Sequence, residues 1–382
     1  SLRINVSTST KQRIFSQSYR KKLTIFIKGI YNMKKIAILG CGNGGQALAG
    51  HLSLNGHIVS LYAHENHLGG LRAIQQQNGV ELIGEIEGFT QINLLSTNLQ
   101  ECVENAEIIL MALPALACDE IFLAMMPYLQ SGQIIVNMAG YFSSIFAHQA
   151  LINSPYEQNI IFAELTSFPY ACRAELGNKV NIVAIKDFVG IAAIPANKTT
   201  QVIEQLQTVI PCPLMAKNSV LEVGLYNTSG IGHTPAVLFN AARIGNKDEF
   251  YFYKDGISEE TANVMIRLDQ ERISIGSKLG YTIPEHYQVL NDYYGYDYTS
   301  IYEYYKKSPI HNSIKFFPTS TKTRYILEDV PYILVPWYSI AQNLGIEAKG
   351  IKNLIEFTSL LHNTDYMQQG RKFTPEILKY YT

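Results

Sequence analysis

Long hydrophobic runs are missing from this sequence. The longest, Ile108–Ala117, is about ten residues and contains Pro114, half of the ~20 residues that a membrane-spanning helix needs. Cysteine is sparse: Cys41, Cys102, Cys118, Cys172 and Cys212 form an odd set of five without C-x-x-C spacing. That argues against a disulfide framework and against a zinc knuckle, and fits a reducing compartment such as the cytoplasm. Charge of one sign is lacking too, with 31 basic against 32 acidic side chains in 382 residues. The near-zero balance conceals an asymmetry. Residues 1–32 hold seven basic side chains and no acidic one, so the rest of the chain has 24 basic against 32 acidic groups, a net charge of −8. Such a mildly acidic body is poorly suited to neutralising phosphates, which argues against a nucleic-acid binder.

What is present is a core-forming composition, 47 % apolar and 16 % charged, in a chain long enough for two or three domains. The basic, Ser-rich segment 1–32 reads as an extension outside the fold. It fits an upstream or artefactual addition with Met33 as the natural start, an organellar transit peptide, or a basic arm with a partner. From Met33 onward, short apolar strands alternate with helices. Strands are expected at Lys35–Leu39, His57–Ala63, Ala106–Leu113, Gln133–Met138 and Asn159–Leu165, with Val180–Lys186 and Gly190–Pro195 extending the same sheet. Strands rich in Ile, Val and Leu and alternating with helices imply a parallel sheet covered on both faces. Past residue 215 the texture turns helical, with long helices expected at Ser219–Ala242, Ser258–Leu279 and Tyr332–Gln342. The expected division is therefore 1–32 extension, 33–215 nucleotide-binding domain, and 216–382 helical substrate domain.

Gly40-Cys-Gly42-Asn43-Gly44-Gly45 directly follows a strand and opens a helix, the context in which G-x-G-x-x-G signals a dinucleotide site. Gly40 permits the tight turn, Gly42 lets backbone approach a pyrophosphate, and Gly45 lets helix and strand close. The helix N-terminus then offers unpaired N–H groups to the phosphates. Asn43, Gly44, His64 and Pro114 are counted with this cofactor site. The usual acidic residue for the ribose 2′-hydroxyl is replaced by Ala63 and His64, and no Arg or Lys precedes Arg72, so NAD and NADP both stay open. His51, His57, His64 and His67 lack accompanying cysteines and the expected elements hold them apart, so no metal site is expected.

The helical region holds two further signals. In Asn227-Thr-Ser229-Gly-Ile-Gly-His233-Thr-Pro235, two glycines and a proline interrupt a helical pattern at a cost of roughly 1 and 3 kcal/mol, and a break there would present His233 to a cleft. Farther on, Arg324-Tyr-Ile-Leu-Glu328-Asp329-Val-Pro331 combines a guanidinium with two carboxylates. Asp329 before Pro331 also reads as an ordinary helix N-cap. The Tyr-rich segment Asn291–Lys307 reads mainly as packing or a subunit contact, with substrate lining as the alternative.

With these motifs in order, residues 33–382 resemble the opine dehydrogenase family (octopine, nopaline and related enzymes). The likeness also runs through Asn78-Gly-Val-Glu-Leu, Leu113-Pro-Ala-Leu-Ala117, Ala163-Glu-Leu-Thr, Phe168-Pro-Tyr-Ala-Cys-Arg173 and Leu238-Phe-Asn-Ala-Ala. The resemblance implies a Rossmann-type α/β domain followed by an all-α domain like the C-terminal domain of 6-phosphogluconate dehydrogenase, with small-molecule substrates in the cleft between them. It implies NAD(P)-dependent condensation of an amino acid with a 2-oxo acid such as pyruvate, or the oxidative reverse. By carry-over His233 is the general acid/base, Asp329 its partner, and Arg324 the holder of a substrate carboxylate. One departure is Ser229, where many relatives carry asparagine; either Asn227 takes over or the polar contact to substrate differs. Resemblance to ketopantoate reductase or glycerol-3-phosphate dehydrogenase is the rival, but those use a catalytic lysine and Leu221–Asn227 holds none. Membrane and nucleic-acid partners are not expected, and a homodimer is left open.

Overall fold

The computed structural model describes residues 33–157, 159–175, 179–312 and 318–382; the extension assigned to 1–32 lies outside them. Strands β1 (Lys35–Leu39), β2 (Ile58–Tyr62), β5 (Leu94–Ser96), β6 (Ile108–Met111), β7 (Ile134–Asn137), β8 (Ile161–Leu165), β11 (Val189–Ile194) and β12 (Leu214–Ala216) build one eight-stranded sheet. Its order is β12-β11-β8-β7-β6-β1-β2-β5. Every pairing is parallel except β11 against β8. Ile36–Leu39, Ile108–Met111 and Ile134–Asn137 are buried without interruption, because helices and a second sheet leave neither face to water. The chain leaves β1 in one direction and β6 in the other, so a crevice opens beyond their C-terminal ends, where such sheets bind ligands.

A second sheet, in the order β4-β3-β10-β9, is made from β3 (Val80–Gly84), β4 (Gly88–Thr90), β9 (Tyr170–Ala174) and β10 (Lys179–Ile185). This corrects one expectation: Val180–Lys186 does not extend the main sheet but pairs with β3 and β9. Helix α1 (Asn43–Leu54) lies between the two sheets, which is why Gln46, Ala47, Leu48, Ala49, Gly50 and Leu52 are all buried. A helix covered on two sides needs apolar or small residues all round rather than one stripe. Gly50 is small for that reason, since an added Cβ would meet the Leu82 side chain at 2.9 Å.

After β12 the described chain is helical. The single helix expected at Ser219–Ala242 is instead three: α3 (Val220–Tyr226), α4 (Ser229–Leu238) and Ala241–Asn246. The chain breaks at Asn227-Thr228, upstream of the glycines, and Pro235 is carried inside α4. Ser258 caps α5 (Glu259–Lys278) through its hydroxyl; α6 (His286–Tyr294), α7 (Ile301–Lys307) and α8 (Val335–Asn343) follow. Trp337 on α8 is fully buried and donates from its indole to Gly224 O of α3 at 3.2 Å. One core cluster runs from the β1–β6–β7 face of the sheet through Phe142 and Val223 to Trp337, so sheet and helices share apolar packing. Among the described residues no helix is long and apolar enough to cross a membrane.

Candidate active site

The glycine loop forms at the C-terminal end of β1, facing the chain that leaves β6. Gly40 has φ +113°, and a Cβ there would meet Ala112 O at 2.5 Å. A Cβ on Gly45 would lie 1.7 Å from Gly40 O, so both positions need glycine for the loop itself to close. Gly42 differs: a Cβ there would meet nothing within 4 Å. It is the N-cap of α1 and the first turn has neither a side-chain cap nor an acidic residue. Open space in front of uncapped amides is what a pyrophosphate requires, and these residues fit a dinucleotide. Asn43 directs its side-chain oxygen to the Ala174 amide at 3.0 Å, tying the loop to β9, and Gly44 lies under the Phe168 ring. His64 follows β2 and accepts from the Asn66 amide at 3.2 Å. Pro114 is exposed and starts α2 (Ala115–Met125) across the crevice.

His233 and Asp329, 96 residues apart, meet at 2.7 Å through Nδ1 and Oδ2. Asp329 is 2 % exposed and makes no N-cap hydrogen bond. Its carboxylate turns to the imidazole, which displaces the reading of Asp329 as a helix cap. The following residues Val330–Leu334 form a wider π-helical turn, a feature frequent at functional sites. Tyr141 OH approaches Asp329 Oδ1 at 3.5 Å. The other imidazole nitrogen, Nε2, faces the Tyr253 hydroxyl at 3.1 Å, and the Tyr325 ring covers His233 with centroids 4.1 Å apart. The imidazole is thus held on three sides.

Arg324 has 71 % of its side chain exposed and its Nη2 lies 3.1 Å from Glu328 Oε2. Glu328 is 3 % exposed and accepts from the Ala115 amide at 2.6 Å, at the first turn of α2. Burial pushes the Glu328 carboxyl above the usual range, while Arg324 and the Ala115 amide hold it down. One carboxylate therefore ties the guanidinium to the start of α2, a role the sequence signalled only by placing Glu328 one turn after Arg324.

Beside His233 lies a cavity of about 120 Å³, sized for a small organic group rather than a dinucleotide. Asn227 and Ser229 line it, as do Lys186, Tyr293, Tyr305 and His311. Asn227 is engaged on both sides: its Nδ2 donates to Gly140 O at 3.0 Å and its Oδ1 accepts from the Ser229 amide at 3.2 Å. That fastens the start of α4, and with it His233, to the loop after β7. Tyr293, Tyr294 and Tyr305 of the Tyr-rich segment line the cavity, while Tyr304 packs in the core. Lys186, Tyr253, His286 and His311 also surround the site, and no motif in the sequence points to them. Nothing local marks them, because their neighbours come from distant segments.

All five cysteines are free, and burial pushes each thiol up to about 12, which leaves them inert. Among the described residues no group of three or more His, Cys, Asp or Glu is placed to hold a metal.

A dinucleotide-type loop at the end of β1 in the β5-β2-β1-β6-β7-β8 part of the main sheet, with a histidine–carboxylate pair on a helical domain, defines a two-domain nicotinamide-dependent oxidoreductase. The helical part, residues 216–362, matches the family model described as NAD/NADP octopine/nopaline dehydrogenase, alpha-helical domain. Residues 35–144 match the N-terminus of NAD-dependent glycerol-3-phosphate dehydrogenase. An opine dehydrogenase from Arthrobacter sp. (strain 1C) is 28 % identical over 339 residues, 88 % of this chain and 93 % of its own length. The protein ocs of Agrobacterium tumefaciens (strain Ach5) is 25 % identical over 342 residues, 89 % of this chain and 94 % of its own. A solved octopine dehydrogenase, determined with NADH and L-arginine, superposes with a TM-score of 0.70 at 19 % identity, covering 92 % of this chain and 96 % of that one. Over most of its length the chain is thus similar to opine dehydrogenases, and its helical part matches the octopine/nopaline dehydrogenase model.

Proposed function

We propose that this enzyme joins the amine of an amino acid to a 2-oxo acid by NAD(P)H-dependent reduction, and runs the oxidative reverse, with His233 as the proton-transfer group. The observation that carries this is the His233–Asp329 pair beside a small cavity, within a chain similar to opine dehydrogenases. Amine and carbonyl condense to an imine with loss of water, and NAD(P)H, when bound, would supply the hydride that reduces the imine carbon. The heteroatom needs a proton at each stage, and histidine gains and loses one near neutrality. With Nδ1 held by Asp329, the proton is exchanged at Nε2, where Tyr253 OH now sits. Asp329 fixes that tautomer and stabilises the imidazolium. Arg324 takes a substrate carboxylate with two parallel hydrogen bonds, presented by Glu328. Asn227 serves by fastening α4, and Ser229 borders the substrate.

Gly40, Gly42, Asn43, Gly44 and Gly45 would hold the cofactor, with His64 and Pro114 beside it. We place the division between the two domains at 215/216, within β12 and four residues before the first helix of the helical part begins at Val220, and the enzyme in a reducing compartment such as the cytoplasm. A single-substrate 2-oxo acid reductase would call for a catalytic lysine on the helical side. Lys217 does not serve, since its ammonium lies 3.6 Å over the Tyr226 ring and 3.9 Å from Glu222.

Two expectations test these roles. Asp329→Asn should keep the fold but lower kcat by about 10³–10⁴-fold, because an amide can hold the wrong tautomer; steady-state kinetics beside a thermal melt separates chemistry from folding. In the glycine loop, Gly42→Ala should melt normally yet weaken NADH affinity about tenfold or more. Gly45→Ala should instead lower stability by about 1–3 kcal/mol or more, as its Cβ has no room. Fluorescence titration and melting curves read the two effects. The reaction itself is tested by mass spectrometry of the product, expected at the summed mass of both substrates less water plus two hydrogens; a 2-hydroxy acid alone would contradict it.

A further inference from the structure

Lys186 follows β10 at the point where the second sheet meets the helical domain: the Asp187 amide donates to Tyr293 O at 2.9 Å. The residue is 8 % exposed. Its ammonium donates to Ser167 Oγ and, at 3.0 Å, to Phe168 O, and lies 4.4 Å from the Tyr293 ring centroid. Neither acceptor is an anion. An ammonium has three N–H groups, so two are taken by these neighbours and one is left for the cavity that Lys186 lines together with His233. Among the described residues no Asp or Glu lines that cavity; its other ionisable groups are His286, His311 and tyrosines.

A buried cation without a counter-charge is costly, and a buried lysine perturbed in this way beside a cavity marks a candidate for binding or proton transfer. Burial accordingly pulls the Lys186 ammonium down to about 7, and pulls His311 down to about 3 with help from the positive charges of His233 and Lys186. Among the described residues the lining offers N–H and O–H donors and no carboxylate. The condensation proposed above joins two acids, so at least two carboxylates must be held at once, and Arg324 accounts for one.

We propose that Lys186 is a second carboxylate-binding residue, holding the substrate carboxylate that Arg324 does not hold, at the far side of His233. This rests on the reaction assigned above. The carboxylate comes either from the backbone of one of the two substrates or from an acidic side chain on the amino donor, and kinetics distinguishes them.

The test uses the NADH-loaded enzyme and succinate as the probe, followed by titration calorimetry. Wild type is expected to bind succinate at least about tenfold more tightly than its uncharged analogue succinamide. Lys186→Met should lose that preference, and Lys186→Arg should recover part of it. In steady state, Lys186→Met should raise one KM at least about tenfold, with a smaller fall in kcat. A KM raised only for aspartate and glutamate identifies a side-chain carboxylate. One raised for every amino donor, or for the oxo acid, identifies the backbone carboxylate of that substrate. Equal binding of succinate and succinamide by wild type overturns the proposal without any variant. So does a Lys186→Met enzyme with normal NADH affinity that keeps succinate binding, or that loses kcat at unchanged KM, since the lysine would then be a proton donor. Turnover by wild type with both substrates is scored separately, so failure of the reaction assignment is not confused with failure of the Lys186 site.

Discussion

His233→Ala is expected to lower kcat by about 10²–10⁴-fold, the usual worth of a positioned acid/base group, while NADH affinity stays within about twofold of wild type. The separation follows from placement. The imidazole contacts Asp329, Tyr253 and Tyr325, all on the helical side, whereas the cofactor loop rests on β1 and α1. Loss of the ring leaves the Asp329 carboxylate buried without its best partner. A drop in stability of a few kcal/mol is therefore expected as well, and rates should be compared at a temperature where both proteins are folded. The effect of Asp329→Asn should not add to that of His233→Ala, because both changes disable one unit. A rate unchanged in His233→Ala would remove the histidine from the chemistry.

Arg272→Met is expected to cost about 3–5 kcal/mol, the range for removing one partner of a buried ion pair. Arg272 has no exposed surface and spends its guanidinium on three segments. Nε and Nη2 donate to Asp269 at 2.9 and 2.6 Å, Nη1 to Leu225 O at 2.6 Å, and Nη2 also to Pro284 O at 2.6 Å. Asp269 in turn accepts from the His286 amide at 2.7 Å. The pair thus locks α5 to the end of α3 and the start of α6, two of the elements that shape the cavity. Methionine fills much of the volume but strands Asp269 without charge compensation. The double variant Asp269→Asn/Arg272→Met should recover part of the loss. Trp337, the sole tryptophan, is buried against α3, so its fluorescence during urea unfolding reports on this region directly.

The parts of the fold legible in the sequence are those set by neighbouring residues. β1, the glycine loop and α1 were readable because strand, turn and helix chemistry follow one another over twenty residues. The break before α4 was expected at the glycines and occurs instead at Asn227-Thr228, where the Asn227 side chain bonds to Gly140 O and to the Ser229 amide. A tertiary anchor, not local propensity, sets that boundary. The second sheet was missed for a similar reason. β10 is as apolar as a main-sheet strand, and only its pairing with β3, about a hundred residues earlier, reveals where it belongs.

The site divides in the same way. His233, Asp329 and Arg324 carry motifs, so the sequence could nominate them. Asp329 was ambiguous with a helix cap, and the ambiguity ends with the 2.7 Å contact to His233. Lys186 had no signature, since a lysine ending a strand is ordinary until Tyr293 and Phe168 close over it. Its burial is a property of packing between segments far apart in the chain.

The most direct test of the account is the substrate dependence of NADH oxidation by the purified enzyme, measured with pyruvate and a panel of amino acids. Oxidation that requires both an amino donor and the oxo acid, and that falls by at least about a hundredfold in His233→Ala, is the result the account predicts. Oxidation of equal rate with pyruvate alone would contradict it and make the protein a simple oxo-acid reductase.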